Sequence, residues 1–339
     1  MKNLKHVVLS NQELSGFEYG MLRDFEDEVI RLTGGDLVAM PKRQLPKFIE
    51  HRIGHGTRYS GLRSWIPKSE YELKADVLWF VLMGPENFTL DLFKNWDRGV
   101  GIKILYLFDT FENQLPSIRR ILQSTHWDLT ITSFEGAVPF LEEHTQRKWY
   151  AVAQGVKLER FQPVTEAEKV INFCSYGRRL ENVHNSIKHY CAQTKKYYDY
   201  TTAASIQSQL NPREYYGQYA WHLRHSFFTF SWPVELTHPK RVLTFSPITC
   251  RWFEAAASGT VIVGQAPKDP TFDKFFGSEL VVPIDYEDSD ESLNSKWEHL
   301  WNNRLHYLQS ALKARELNVQ NWSWESRVKE ILNLIDSVN

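Results

Sequence analysis

Short apolar runs alternate along the whole chain with stretches in which apolar residues recur at helical spacing. His6 to Leu9 reads as a strand. Met21, Leu22, Phe25, Val29, Ile30 and Leu32 then predict a helix that Gly34-Gly35 stops. Leu37 to Met40 is a second strand, ending at Pro41, and Asp76 to Met83, Lys103 to Phe108 and Leu129 to Ser133 continue the series. The segment from Lys42 to Ser69 is basic and irregular, with Gly54, Gly56 and Gly61, and reads as a loop region with short helices. The second half repeats the logic. Val170 to Ser175, Tyr198 to Thr202, Ser226 to Trp232, Thr260 to Val263 and Leu280 to Pro283 read as strands. Helices fit around His184 to Cys191 and Arg213 to Arg224, and a last one runs from Trp324 towards Val338 with Val328, Ile331, Leu332 and Ile335 at helical spacing. This order predicts an α/β chain of two doubly wound domains with a cleft between them, each a parallel sheet covered on both faces. The charged, glycine- and proline-bearing stretch Gln154 to Pro163 divides the chain into 1–160 and 161–339. The final helix is placed to pack back toward the first half. Ligands of such sheets sit beyond the carboxyl ends of the strands.

The chain is organised around Ser246 to Gly264, a short helix feeding a buried strand. Ser246-Pro247 is a start signal, since the serine oxygen can cap free amides and proline tolerates the first helical position. Gly259 stands where a left-handed residue would end the helix. Arg251 and Glu254 share a helix face, where an arginine can clamp a diphosphate and a carboxylate can accept from two sugar hydroxyls. The same pair at i, i+3 also reads as a plain surface salt bridge. Thr249 offers a hydroxyl near the helix start, or an alternative N-cap. Gly177 and Arg178 follow a strand directly, so Arg178 is the favoured phosphate partner over Arg179, though the sequence does not separate the two; Lys240 could supply the same charge or sit in a solvated turn. Gly16 and Gly20 could let backbone approach a ligand, or could simply open a helix. Asp109, at a strand's carboxyl end, is the candidate catalytic carboxylate or the N-cap of the next helix, and Glu18 is a further candidate base.

Composition narrows the partners. The 339 residues, 42% hydrophobic and 24% charged, fit a soluble globular protein of two domains, and the formal net charge of -1 argues against a nucleic-acid binder. Cys174, Cys191 and Cys250 form no CxxC, and the 12 histidines form no metal motif, so a reduced, cytoplasmic chain without a metal is expected. Met1 to Ser10 has too short an apolar core for an export segment, and no apolar run approaches the roughly 20 residues that span a bilayer. The basic, aromatic stretch Arg213 to His225 reads as a half-buried helix, or as a surface for a glycan or a membrane. The basic Lys42 to Lys74 region could likewise face an anionic acceptor or lipid headgroups, which leaves peripheral membrane association open.

Four passages then carry a resemblance to the GT-B class of glycosyltransferases. Ala153-Gln-Gly-Val-Lys-Leu-Glu-Arg-Phe-Gln-Pro163 resembles the passage that opens the second domain in many of them. Ser175-Tyr176-Gly177-Arg178 is similar to the strand end and glycine loop of the donor-binding half. Phe253-Glu-Ala-Ala-Ala-Ser-Gly259 resembles the helix whose glutamate holds the donor ribose, and Asn321-Trp-Ser-Trp-Glu-Ser-Arg327 resembles the start of the final helix. Thr249-Cys-Arg-Trp-Phe-Glu254 is similar to the spore-maturation glycosyltransferase-like branch.

The resemblance implies two Rossmann-like domains and a nucleotide-sugar donor bound by Gly16, Tyr176, Gly177, Arg178, Lys240, Thr249, Arg251 and Glu254, with Glu254 on the ribose. It implies transfer to a hydroxyl of a glycan, a lipid-linked saccharide or a small molecule, as in polysaccharide biosynthesis, with no cofactor besides the co-substrate and no metal. One departure stands out. Family-4 retaining members carry a second glutamate eight residues before the ribose-binding one, and this chain has Ser246 there. Retaining and inverting chemistry both stay open, as do a GT-B-fold scaffold without activity and a nucleotide-sugar epimerase.

Overall fold

The structure is a computed structural model that describes residues 4–11, 19–41, 67–201, 211–239, 244–277 and 280–338. Thirteen strands occur among them: β1 (His6–Ser10), β2 (Asp36–Ala39), β3 (Ser69–Glu70), β4 (Lys74–Leu82), β5 (Phe93–Lys94), β6 (Gly99–Leu107), β7 (Leu129–Thr132), β8 (Tyr150–Ala151), β9 (Ile171–Ser175), β10 (Tyr198–Tyr200), β11 (Ser226–Ser231), β12 (Val261–Gly264) and β13 (Val281–Pro283). The helices are α1 (Tyr19–Thr33), α2 (Leu115–Ser124), α3 (Val138–Thr145), α4 (Glu181–Thr194), α5 (Pro212–Arg224), α6 (Val234–Thr237), α7 (Cys250–Ala257), α8 (Phe272–Phe276), α9 (Asp290–Asn302), α10 (Arg304–Asn318) and α11 (Trp324–Val338).

The first sheet has the order β2-β1-β4-β6-β7-β8 and the second β10-β9-β11-β12-β13, with every pair parallel; β3 and β5 form a separate small parallel pair. Both large sheets are buried on two faces. Along β4, Val77, Trp79 and Val81 join one apolar cluster while Leu78, Phe80 and Leu82 join another, as the period of two requires. Each sheet reverses its winding direction once, between β1 and β4 in the first and between β9 and β11 in the second. Ligands of doubly wound sheets bind in the crevice outside the strand ends at such a reversal.

The two sheets are joined by helices. α1 packs against both α5 and α11. Phe25 of α1 meets the Trp324 ring edge-on, with centroids 5.1 Å apart, and Trp324 stacks on Phe108 at 5.5 Å. Arg31 binds Glu28 on its own helix and Glu325 on α11. Val156, in the crossing segment, forms a parallel bridge to Ser323 just ahead of α11.

The start of α7 departs from expectation. The helix begins at Cys250 with Thr249 as its N-cap residue, three residues beyond Ser246-Pro247, and the Thr249 side chain makes no capping bond. The Ser246 hydroxyl is engaged elsewhere, donating to Glu235 Oε1 of α6 at 2.5 Å. Gly259 does adopt the left-handed conformation, φ 61°, that ends the helix. Lys42 to Trp65, the bulk of the basic loop region, together with Gly16, Glu18 and Lys240, lies outside the described residues.

Candidate active site

A cavity of about 450 Å³ opens where the two winding reversals face each other. From the first sheet it is lined by Met83, just past β4, and by Asp109, just past β6; Met21 of α1 and Gln154 of the crossing segment complete that wall. From the second sheet come Tyr176, Gly177 and Arg178 after β9, Ser231 and Trp232 at the end of β11, and Thr249, Arg251 and Glu254 of the α7 region. Of the candidate residues that are described, Tyr176, Gly177, Arg178, Thr249, Arg251, Glu254 and Asp109 line one cavity and Gly20 does not, although Asp109 and Glu254 lie 145 positions apart in the chain.

Glu254 is the centre of the wall that the second sheet supplies. It is 3% exposed, and both its oxygens are held: Tyr216 Oη donates to Oε1 at 2.6 Å and Tyr219 Oη to Oε2 at 2.9 Å. The surface salt bridge with Arg251 is thus replaced by two phenols from α5. Burial pushes the Glu254 carboxyl up, while the two phenol bonds and the nearby Arg251 guanidinium oppose that rise. An ionised carboxylate has about four acceptor positions, so two phenols leave capacity for further donors. The same burial, beside the Glu254 charge, raises both phenols well above their ordinary range and the Cys250 thiol with them.

Arg251 lies over Gly177. Gly177 has φ 77°, and a Cβ there would overlap the Arg251 guanidinium. Glycine at this position both permits the left-handed turn and leaves the space that Arg251 occupies. Among the described residues Arg251 has no hydrogen-bond or ion-pair partner, and its charge acts on Glu254. Arg179 is committed differently, donating to Glu181 Oε1 at 3.1 Å and to the Thr201 carbonyl at 3.0 Å. Arg178 is the one of the two that lines the cavity. Tyr176 donates to Asp199 Oδ2 at 2.6 Å, where His222 Nδ1 also approaches to 2.5 Å.

Asp109 is not a helix cap. The 3-10 turn that follows begins at Glu112 with Phe111 at its N-cap, and the Asp109 backbone amide donates to the Met83 carbonyl at 2.7 Å. Its charge reaches across the cleft far enough to help raise the Cys250 thiol. Gly20 serves packing: a Cβ there would overlap the Tyr216 side chain, so it lets α1 lie directly on α5.

Sequence reasoning missed Gln154 as part of the wall, and Tyr215, Tyr216 and Tyr219 as its aromatic side. The spacing Tyr216-x-x-Tyr219 on one helix face was a usable signal, because buried phenols need hydrogen-bond partners. A smaller cavity of about 280 Å³ is lined by Ser133, Glu135, Asp269, Lys274, Arg327 and Glu330 among others. Among the described residues no group of three His, Cys, Asp or Glu side chains is placed to hold a metal, and no helix is long and apolar enough to cross a membrane.

Solved structures share this fold. A glycosyltransferase from Rickettsia africae ESF-5 superposes over 100% of this chain and 99% of its own with TM-score 0.54 at 10% identity. The catalytic domain of starch synthase IV from Arabidopsis thaliana, bound to ADP and acarbose, superposes over 99% of each chain with TM-score 0.51 at 10% identity. No curated protein matches the chain in sequence. The family model described as glycosyl transferase-like matches residues 161–333, which include β9 to β13 and the wall that the second sheet gives the cavity. The chain belongs to the glycosyl transferase-like family and is built on the GT-B glycosyltransferase fold.

Proposed function

We propose that this protein transfers a sugar from a nucleoside-diphosphate sugar to a hydroxyl of a glycan, a lipid-linked saccharide or a small molecule. The observation that carries the reading is the pairing, in one cavity, of a buried carboxylate on Glu254 with guanidinium groups on Arg178 and Arg251. Glu254 accepts from the ribose hydroxyls, and Arg251 and Arg178 neutralise the diphosphate as it leaves. Thr249 and the first amides of α7 add donors on the same side. Gly177 keeps the turn low enough for the diphosphate to lie beside Arg251. The ADP held by the starch synthase domain is a ligand of this chemistry in a chain of this fold.

Asp109 stands opposite, on the wall where the acceptor enters. In an inverting reaction it removes the proton of the attacking hydroxyl. In a retaining one a carboxylate there steadies positive charge on the sugar ring. A second reading, a binding subunit without turnover, draws on Ser246, which stands where family-4 retaining members carry a glutamate and is hydrogen-bonded to Glu235.

Calorimetric titration with a panel of nucleoside diphosphates tests the proposal. One base should bind tightly, and Glu254→Gln should weaken it by about 1–3 kcal/mol. Binding of none of them by the wild type would overturn the transferase reading. Binding without release of nucleoside diphosphate from any sugar donor would favour the binding subunit, and isomerised donor without release would mark an epimerase.

A further inference from the structure

The phenol that holds one oxygen of Glu254 is itself braced by residues from the other half of the chain. Asp24 of α1, its side chain fully buried, takes the Arg160 guanidinium in both oxygens, Nε to Oδ2 and Nη2 to Oδ1, each at 2.7 Å. The Arg160 guanidinium carbon lies 5.4 Å from the centroid of the Tyr216 ring. Phe161 meets the same ring edge-on at 5.5 Å and the Tyr219 ring at 6.2 Å. Gly20 brings α1 into direct contact with Tyr216, and Arg213 of α5 pairs with Asp27 of α1. Tyr216 then donates to Glu254 Oε1 at 2.6 Å.

We propose that Asp24, Arg160 and Tyr216 form a positioning chain that fixes the carboxylate plane of Glu254 and thereby sets the protein's discrimination for ribose. The physical reason is geometric. A carboxylate that accepts one phenol on each oxygen cannot turn about its Cγ–Cδ bond without breaking both bonds, so its remaining acceptor positions have one orientation. Two adjacent hydroxyls on a sugar need that orientation; a diphosphate, bound by guanidinium groups, does not. Tyr216 can hold its oxygen only if its ring is held. Arg160 does this through the ring face, and the planar, two-bond grip of Asp24 keeps Arg160 in place. The chain thus runs from the helix that opens the first half to the carboxylate that reads the donor in the second.

The inference rests on the proposed ribose role of Glu254, and its test separates the two. The tightest-binding nucleoside diphosphate and its 2′-deoxy counterpart are titrated into the wild type, Tyr216→Phe, Arg160→Gln, Arg160→Lys and Glu254→Gln. The wild type should prefer the ribose form by about tenfold, the order expected for a hydrogen bond to a charged group. Tyr216→Phe and Arg160→Gln should lose most of that preference while binding the deoxy form as the wild type does. Arg160→Lys should fall between them, because lysine keeps the charge without the planar grip. A merely structural role would weaken both ligands equally.

If the wild type prefers ribose and Tyr216→Phe and Arg160→Gln keep that preference, the positioning chain is refuted and the role of Glu254 stands. If the wild type itself shows no preference, the ribose role fails and this inference falls with it. Tyr216→Phe removes only a hydroxyl and keeps the ring, so it decides the matter even where Arg160→Gln does not fold.

Discussion

The two walls of the cleft share one topology and differ in almost everything else. Each is the carboxyl edge of a parallel sheet at the point where its winding reverses. The second wall carries Arg178, Arg251, Glu254 and a row of tyrosines, whereas the first presents Met21, Met83, Asp109 and Gln154. The fold therefore says where a ligand lies, and says it twice. What each wall can hold depends on side chains alone. On the function proposed above, one wall takes the nucleotide and the other the group on which Asp109 acts. An enzyme that joins two substrates benefits from that asymmetry, because a donor bound at one wall leaves the other free.

Removing Asp109, the one carboxylate among the described residues of the first wall, is the hardest test of that division. Asp109→Asn should lower turnover by about 10²–10⁴-fold, the usual range for a positioned acid or base, with nucleoside-diphosphate affinity unchanged. Steady-state release of nucleoside diphosphate and a parallel titration check both halves of the statement. A loss of affinity in this variant would mean that the walls are not divided as described.

A smaller effect is expected on the opposite wall at Gly177. Gly177→Ala places a side chain at φ 77° and into the space of the Arg251 guanidinium. The left-handed backbone alone costs roughly 1–2 kcal/mol, read as a lower melting temperature. Displacement of Arg251 should also reduce the preference for a diphosphate over a monophosphate.

The smallest effect is a pH dependence confined to the second wall. Burial raises the Glu254 carboxyl in the folded chain above its unfolded value. The folded state thus holds this proton more tightly, so the contribution of Glu254 to stability is fully present below the unfolded pKa and is lost as pH rises through the folded one. Ligand affinity should run the other way, since only the ionised group accepts freely from ribose hydroxyls. Titrations across the acidic range should show affinity for the nucleoside diphosphate climbing with pH, by less than about tenfold per unit. Glu254→Gln should remove that slope.

Much of the fold was legible because its signals are local. The apolar runs at Asp76–Met83 and Ser226–Trp232 needed only their own residues to be read as buried strands, and Trp324 to Val338 has the bounds its spacing suggested. The site was legible by position and misread in its contacts. Ser246-Pro247 has the local form of a helix start, but a partner on α6 claims the serine hydroxyl and the helix begins later. Arg251 and Glu254 have the local form of an ion pair, but phenols from 35 and 38 positions away reach the carboxylate first. Tertiary hydrogen bonds of this kind leave no periodic trace, so a pattern of spacing cannot find them.

The contact between Trp324 and the pair Phe25 and Phe108 bears on how the protein is made. Both phenylalanines are fully buried, and the indole that covers them belongs to the last helix. On a ribosome adding about 5–20 residues per second, roughly 10–40 s separate the synthesis of Phe108 from that of Trp324. Through that interval Phe25 and Phe108 have each other and Tyr106 for cover but lack the indole that completes their burial. Cellular yield should therefore depend on chaperone supply, and a stop shortly before Trp324 should leave an aggregation-prone chain.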